Sequence, residues 1–320
     1  MPRPTDAGPG VALVMGGSRG LGLLVSRELV DRGHEVVVTA RDAGELETAA
    51  ERLRSRGGVV HARVCDVRDR AAVEALVAEV EAAIGAVEVL VTVAGIIEVG
   101  PLEAMTPEMF DDAIDTMTRG PVNAALAVLP AMRARRRGRI GTVTSIGGMV
   151  SPPHLLPYAT AKFGAVGFSD GLASALSGTG VTATTVVPGL MRTGSHRRAH
   201  FAGDPGAEYA WFGPAASLPL LSMDAGRAAR RIVDGVLRGR PMVVLTPLAW
   251  VGIRVRGLAP GTTTRVMGWA GRLLPDAPDA PDAPDAREVR EGRQAARLTG
   301  ALVHRLTTWG DRAARRNNEG

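Results

Sequence analysis

From Val11 to about Thr246, short runs of β-branched apolar residues alternate with longer segments whose apolar positions recur every three or four residues. The short runs Val11–Met15, Glu35–Thr39, Val59–Val64, Val87–Val93, Arg139–Thr144, Thr182–Val187 and Met242–Thr246 have the composition of strands. The longer segments, such as Ala71–Ile84 and Phe110–Arg137, are rich in Ala, Leu, Glu and Arg and have the apolar spacing of helices. Regular alternation of the two predicts an α/β chain: a doubly wound, seven-stranded parallel sheet with helices on both faces.

Beyond the last strand the pattern changes. Residues 247–274 form an apolar extension, but the long apolar stretch Met242–Trp269 is interrupted by Arg254, Arg256 and Arg265. That falls short of the roughly 20 continuous apolar residues a transmembrane helix needs. Residues 275–286 are four Pro-Asp-Ala triplets, the composition of an extended, like-charged linker. Residues 287–320 then place Leu298, Leu302, Leu306, Trp309 and Ala313 at helical spacing among many Arg residues, which predicts a basic amphipathic helix. Two accounts of that helix stand open. In one it docks peripherally on an anionic membrane surface or a partner; in the other its stripe folds back onto Met242–Trp269.

Composition adds limits. With 45% hydrophobic and 22% charged residues in 320, the chain has enough apolar material for one large core. Cys65 is the single cysteine, and no leader pattern precedes Val11, so a cytoplasmic location is expected. The net charge of +5 invites a nucleic-acid reading, but residues 287–320 carry +4 of it. The body is nearly neutral, and no nucleic-acid partner is expected. All basic residues but one are Arg; the exception is Lys162.

The first strand runs into Gly16-Gly17-Ser18-Arg19-Gly20-Leu21-Gly22 and then a helix. Glycines at 16, 20 and 22 let backbone approach a pyrophosphate, and the helix N-terminus offers it free N–H groups. The spacing Gly-x-x-x-Gly-x-Gly resembles the short-chain dehydrogenase/reductase family, whose fold is of Rossmann type. That resemblance extends the cofactor site to Asp66 and Val67 after the third strand and to Ala94 and Gly95 after the fourth. There the chain reads Thr92-Val93-Ala94-Gly95 where the family has Asn-Asn-Ala-Gly. Pro188, Gly189 and Thr193 match the family's Pro-Gly-x-x-x-Thr beside the nicotinamide. An acid at the end of the second strand would repel a 2′-phosphate; this chain has Thr39-Ala40-Arg41 there. Arg41 and Arg19 favour NADP over NAD on that ground.

Tyr158 and Lys162 are four apart, so on a helix both face one cleft. A neighbouring ammonium favours the phenolate and draws a tyrosine toward general acid/base work. By the resemblance, Ser145, thirteen residues before Tyr158, hydrogen-bonds the substrate oxygen, and Lys162 binds ribose. Ungapped alignment of Phe110–Pro130 places Met117 where the family has an Asn in its proton relay, a role not transferred to Asn123.

The leading expectation is an NADP-dependent oxidoreductase acting on a carbonyl or alcohol, with self-association into a homo-oligomer implied by the resemblance. A catalytically weak NADP-binding protein, or an adaptor working through the C-terminal helix, is the alternative. Phe201, Tyr209, Trp211 and Phe212 fall in the family's substrate lid, either packing it down or touching substrate, and imply an apolar cleft and a lipophilic substrate. His154 is read as a solvated loop residue. His196 and His200 lack further partners at ligand spacing and are not assigned to a metal.

Overall fold

The computed structural model describes residues 9–219, 221–276 and 289–319. Seven parallel strands form one sheet: β1 (Val11–Met15), β2 (Val36–Ala40), β3 (Val60–Val64), β4 (Val87–Thr92), β5 (Gly138–Val143), β6 (Val181–Val187) and β7 (Met242–Val244). Their order is β7-β6-β5-β4-β1-β2-β3. Each strand lies within two residues of the run that predicts it.

Alternation along β1 splits the core in two. Ala12 and Val14 face a layer built from α1 (Gly20–Val30), α2 (Ala43–Arg54) and α8 (Ala225–Leu237), where Leu29, Leu46, Leu53 and Ile232 are buried. Val11, Leu13 and Met15 face the opposite layer of α3 (Arg70–Ala83), α5 (Gly120–Ala134) and α6 (Leu156–Ala175). The chain reverses direction across the sheet between β1 and β4, which opens a crevice at the carboxyl ends of those strands.

The single helix expected over Phe110–Arg137 is instead three pieces: α4 (Pro107–Ile114), a π-helical turn at Asp115–Arg119, and α5. Pro121 explains the break. It has no N–H for the carbonyl of Met117, and Gly120 donates to Asp115 five residues back, widening the turn. Such turns gather at functional sites, and Met117 sits in this one.

The apolar segment after β7 folds into α9 (Pro247–Leu258) and α10 (Pro260–Gly271). No helix among the described residues is long and apolar enough to cross a membrane. Of the Pro-Asp-Ala linker, only Pro275 and Asp276 lie within the described residues.

The C-terminal segment corrects the account in which its helix folds back onto Met242–Trp269. Helix α11 (Ala301–Arg316) packs against α7 (Pro205–Ser217), through a face of Thr307, Gly310, Ala313 and Ala314. It neither stands free nor lies on Met242–Trp269. Leu298, Leu302 and Trp309 of the apolar stripe stay exposed. Small side chains win the contact because they let the helix axes approach: a Cβ on Gly310 would sit 2.2 Å from Ser217 Oγ.

Candidate active site

A cleft of about 510 Å³ follows the carboxyl ends of β1, β4, β5 and β6. Every residue assigned from the sequence to cofactor or catalysis lines it, from Arg41 and Asp66 at one end to Ser145 and Tyr158 at the other.

The Gly-rich turn is held to β2, where Gly16 and Gly17 donate to the Thr39 carbonyl at 3.0 and 2.8 Å. Gly22 must lack a side chain, since a Cβ there would lie 1.9 Å from the Gly16 carbonyl. The turn therefore closes tightly and aims the start of α1 into the cleft, a cradle that fits a dinucleotide diphosphate.

At the adenosine end the charges are more engaged than the sequence implies. Arg19 pairs with Glu45 at 2.9 Å, and Arg198 reaches the same carboxylate at 2.6 Å. Asp42 accepts from Glu45 N at 2.7 Å, so its carboxylate caps α2. Burial opposes the ionisation of Asp66, but hydrogen bonds from Arg68 outweigh it and hold the carboxyl below its ordinary range. Arg41, exposed at the rim, adds positive charge beside it.

The catalytic candidates converge. Tyr158 and Lys162 lie in the first turns of α6, whose second residue, Pro157, holds a position that needs no N–H. Ser145 Oγ accepts from Gly147 N at 3.0 Å, and its hydroxyl stands close enough to the Tyr158 phenol to favour the phenolate. Lys162 Nζ donates to the Val143 carbonyl at 2.9 Å and lies 5.8 Å from the Tyr158 ring centroid. Gly148 brings this loop onto α6, where a Cβ would fall 2.5 Å from the Lys162 carbonyl.

Burial pushes the Tyr158 phenol up, and the Ser145 hydroxyl pulls it back in part. Burial pulls the Lys162 ammonium down to about 8. The expected lowering of the phenol by Lys162 is thus not the dominant effect: enclosure governs the tyrosine, and the hydroxyl that opposes it is Ser145.

Met117 reaches the place the alignment gives it. It is 1% exposed, packs with Ala113, Ala161 and Tyr158, and its sulfur lies 3.3 Å from where a Gly95 Cβ would stand. Asn123 is elsewhere, donating to the Val67 carbonyl at 3.0 Å and fixing the loop after β3.

The lid resolves the open question about its aromatics. Phe201, Tyr209 and Phe212 are buried in one edge-to-face cluster with Trp211 at its margin, and none of the four lines the cleft. The apolar wall near Tyr158 comes from Ile96, Ile97 and Met117 instead, with Met191 also lining the cleft. His154 is not simply solvated: it meets buried Glu208 at 2.7 Å, and Glu208 also accepts from Trp211 Nε1 at 2.7 Å. His196 is buried against Asp311 of α11 at 3.3 Å. Sequence reasoning missed Glu319, which lines the cleft although it lies about three hundred residues from the Gly-rich turn; no local pattern announces such a contact.

The short chain dehydrogenase family matches residues 10–200, and the chain belongs to that family, the short-chain dehydrogenases/reductases. Among its relatives, a putative ketoacyl reductase of Streptomyces coelicolor is 38% identical over 185 residues, 57% of this chain and 71% of the relative. The 3-oxoacyl-[acyl-carrier-protein] reductase FabG of Escherichia coli is 33% identical over 183 residues, 57% of this chain and 74% of that protein. A crystal structure of an actinorhodin polyketide ketoreductase variant with NADPH superposes with a TM-score of 0.66 at 30% identity, covering 76% of this chain and 97% of its own. A short-chain dehydrogenase from Streptomyces avermitilis reaches a TM-score of 0.69 at 26% identity, covering 84% and 98%.

Proposed function

We propose that this chain is an NADP-dependent oxidoreductase of class EC 1.1.1 that interconverts a carbonyl and an alcohol on a largely apolar substrate. The observation that carries this is the convergence of Ser145, Tyr158 and Lys162 at the inner end of the cleft, with the Lys162 ammonium 5.8 Å from the Tyr158 ring centroid. NADPH, when bound, supplies the hydride. Residues around the Gly-rich turn would hold its diphosphate, Arg41 its 2′-phosphate, and Lys162 a ribose hydroxyl.

In the reductive direction Ser145 donates a hydrogen bond to the carbonyl oxygen and fixes its position. Tyr158 then gives that oxygen its proton, and the nearby ammonium of Lys162 stabilises the phenolate left behind. Ile96, Ile97, Met117 and Met191 exclude water and favour a lipophilic substrate. Self-association belongs to the same reading, with Leu126 of α5 and Phe163 of α6 as exposed apolar side chains. A weakly catalytic cofactor-binding protein is the second reading, favoured by the thioether of Met117 where the family has a relay amide.

A panel of steroids, acyl ketones and quinones, followed by loss of NADPH absorbance, separates the two. Turnover of a lipophilic ketone should fall by about 10²-fold or more in Tyr158→Phe with NADPH affinity kept, because only the transferable proton is removed. Absence of turnover across the panel would favour the cofactor-binding reading, and an unchanged rate in Tyr158→Phe would rule out Tyr158 as the acid.

A further inference from the structure

Residues 317–319, just beyond α11, stay against the molecule. Asn318 adopts a left-handed conformation with φ 62°, which turns the backbone sharply at the helix end, and Glu319 N donates back to Ala314 at 2.9 Å. Residues 317–319 then cross the cleft between its two lips. On one lip, Gly20 N–H donates to the Asn317 carbonyl at 2.7 Å, and the Asn318 amide donates to the Ser18 carbonyl at 3.0 Å. On the other, the Asn317 amide donates to the Thr193 carbonyl at 3.0 Å.

Glu319 is wedged between the lips. A Cβ added to Gly20 would lie 2.7 Å from one of its carboxylate oxygens, and a Cβ on Gly194 would lie 2.7 Å from the other. The carboxylate thus fills the space the missing side chain of Gly20 leaves open at the start of α1. The second of these oxygens, Oε2, has no hydrogen-bond partner among the described residues. The charges that face it are Arg19 and Arg198, which attract it, and Glu45, which repels it.

We propose that residues 317–319 are an intramolecular ligand for the diphosphate end of the cleft, and that a dinucleotide must displace them to bind. The inference rests on the reading of this cleft as the cofactor site. Three features converge on it. A peptide carbonyl takes an N–H at the first residue of α1, an acid sits where a phosphate would approach, and two guanidinium groups stand at its side, as they would for a phosphate. A carboxylate and a diphosphate cannot share a buried gap without mutual repulsion, so the tail and the dinucleotide exclude each other. Besides the bonds to Gly20, Ser18 and Thr193, the Asn318 amide also donates to the Glu45 carbonyl at 3.2 Å, and a dinucleotide would have to break these contacts to enter.

The test measures NADPH dissociation constants by calorimetry for the full chain, Glu319→Gln, and a chain ending at Arg316. We expect roughly tenfold tighter binding and faster association in the shortened chain, and in Glu319→Gln binding that matches the full chain at pH 6 and is about threefold weaker than it at pH 8. Relative to Glu319→Gln, the full chain should gain NADPH affinity between pH 6 and pH 8. Burial pushes this carboxyl up to about 7, so its ionisation across that interval favours the released tail over the docked one, and Gln has no such ionisation. Glu319→Gln preserves size and guards against misfolding of the shortened chain. Equal or weaker NADPH binding in the shortened chain, or an affinity ratio between the full chain and Glu319→Gln that does not move with pH, would overturn the proposal and make the tail a bystander or a supporting wall. Lys162→Met keeps the two readings apart. If it loses NADPH affinity while the tail variants are unchanged, the tail inference alone fails; if it binds as the wild type does, the cleft assignment fails and the tail inference with it.

Discussion

Arg41 stands at the end of β2, where a carboxylate would discriminate against a 2′-phosphate, and it lines the cleft beside Asp66. Arg19, its expected companion, is committed to Glu45, so Arg41 bears more of the cofactor preference than the sequence implies. Arg41→Asp should therefore lower NADPH affinity by roughly tenfold and raise affinity for NADH, as measured by the two dissociation constants. An unchanged ratio would move the discrimination elsewhere. At this scale the sequence was legible where chemistry requires one residue type at one spacing, as with Tyr158, Lys162 and Ser145. It was not legible where partners come from distant segments. Glu45, Arg198 and Glu208 are ordinary charges in sequence, and only folding brings them to Arg19, to the Gly-rich turn's rim and to His154.

The elements of the sheet follow from local pattern, because each β-branched run is buried by its own neighbours in the βαβ order. Two elements depart from that simplicity. The helix through Met117 is broken by a missing N–H at Pro121, a local cause with a visible sequence signal. Helix α11 is different: its large apolar residues mark one face, yet it packs on another made of small ones. Hydrophobic periodicity weighs size, whereas close helix approach rewards its absence. Gly310→Val should push α11 off α7 by crowding Ser217 and His196, costing about 1–3 kcal/mol. Denaturant melts of this variant beside Leu302→Ala would check the point, since loss of the exposed Leu302 should change stability little.

For the molecule as a whole, buried carboxyls set a dependence of stability on pH. Glu98, in a short strand beside His200–Phe201, is 6% exposed, and burial together with Asp112 pushes its carboxyl up to about 7. Its folded value lies above the ordinary 4.5, so the folded state holds this proton more firmly than the unfolded chain does. Glu98 therefore lowers stability progressively as pH rises from about 4.5 to about 7, and by a constant amount above that. Glu98→Gln should melt near the wild type at acid pH and above it at pH 8. A melting difference that does not change with pH would contradict this.

The lone lysine has a spectroscopic consequence. A sample grown with nitrogen-labelled lysine carries a single side-chain resonance, because Lys162 is the only residue that takes up the label. In a chain of 33.3 kDa such freedom from overlap is unusual, and the reporter sits beside Tyr158. Its chemical shift should titrate near 8, the value to which burial pulls the ammonium, and a midpoint close to that of free lysine would argue that the cleft is wetter than its walls imply.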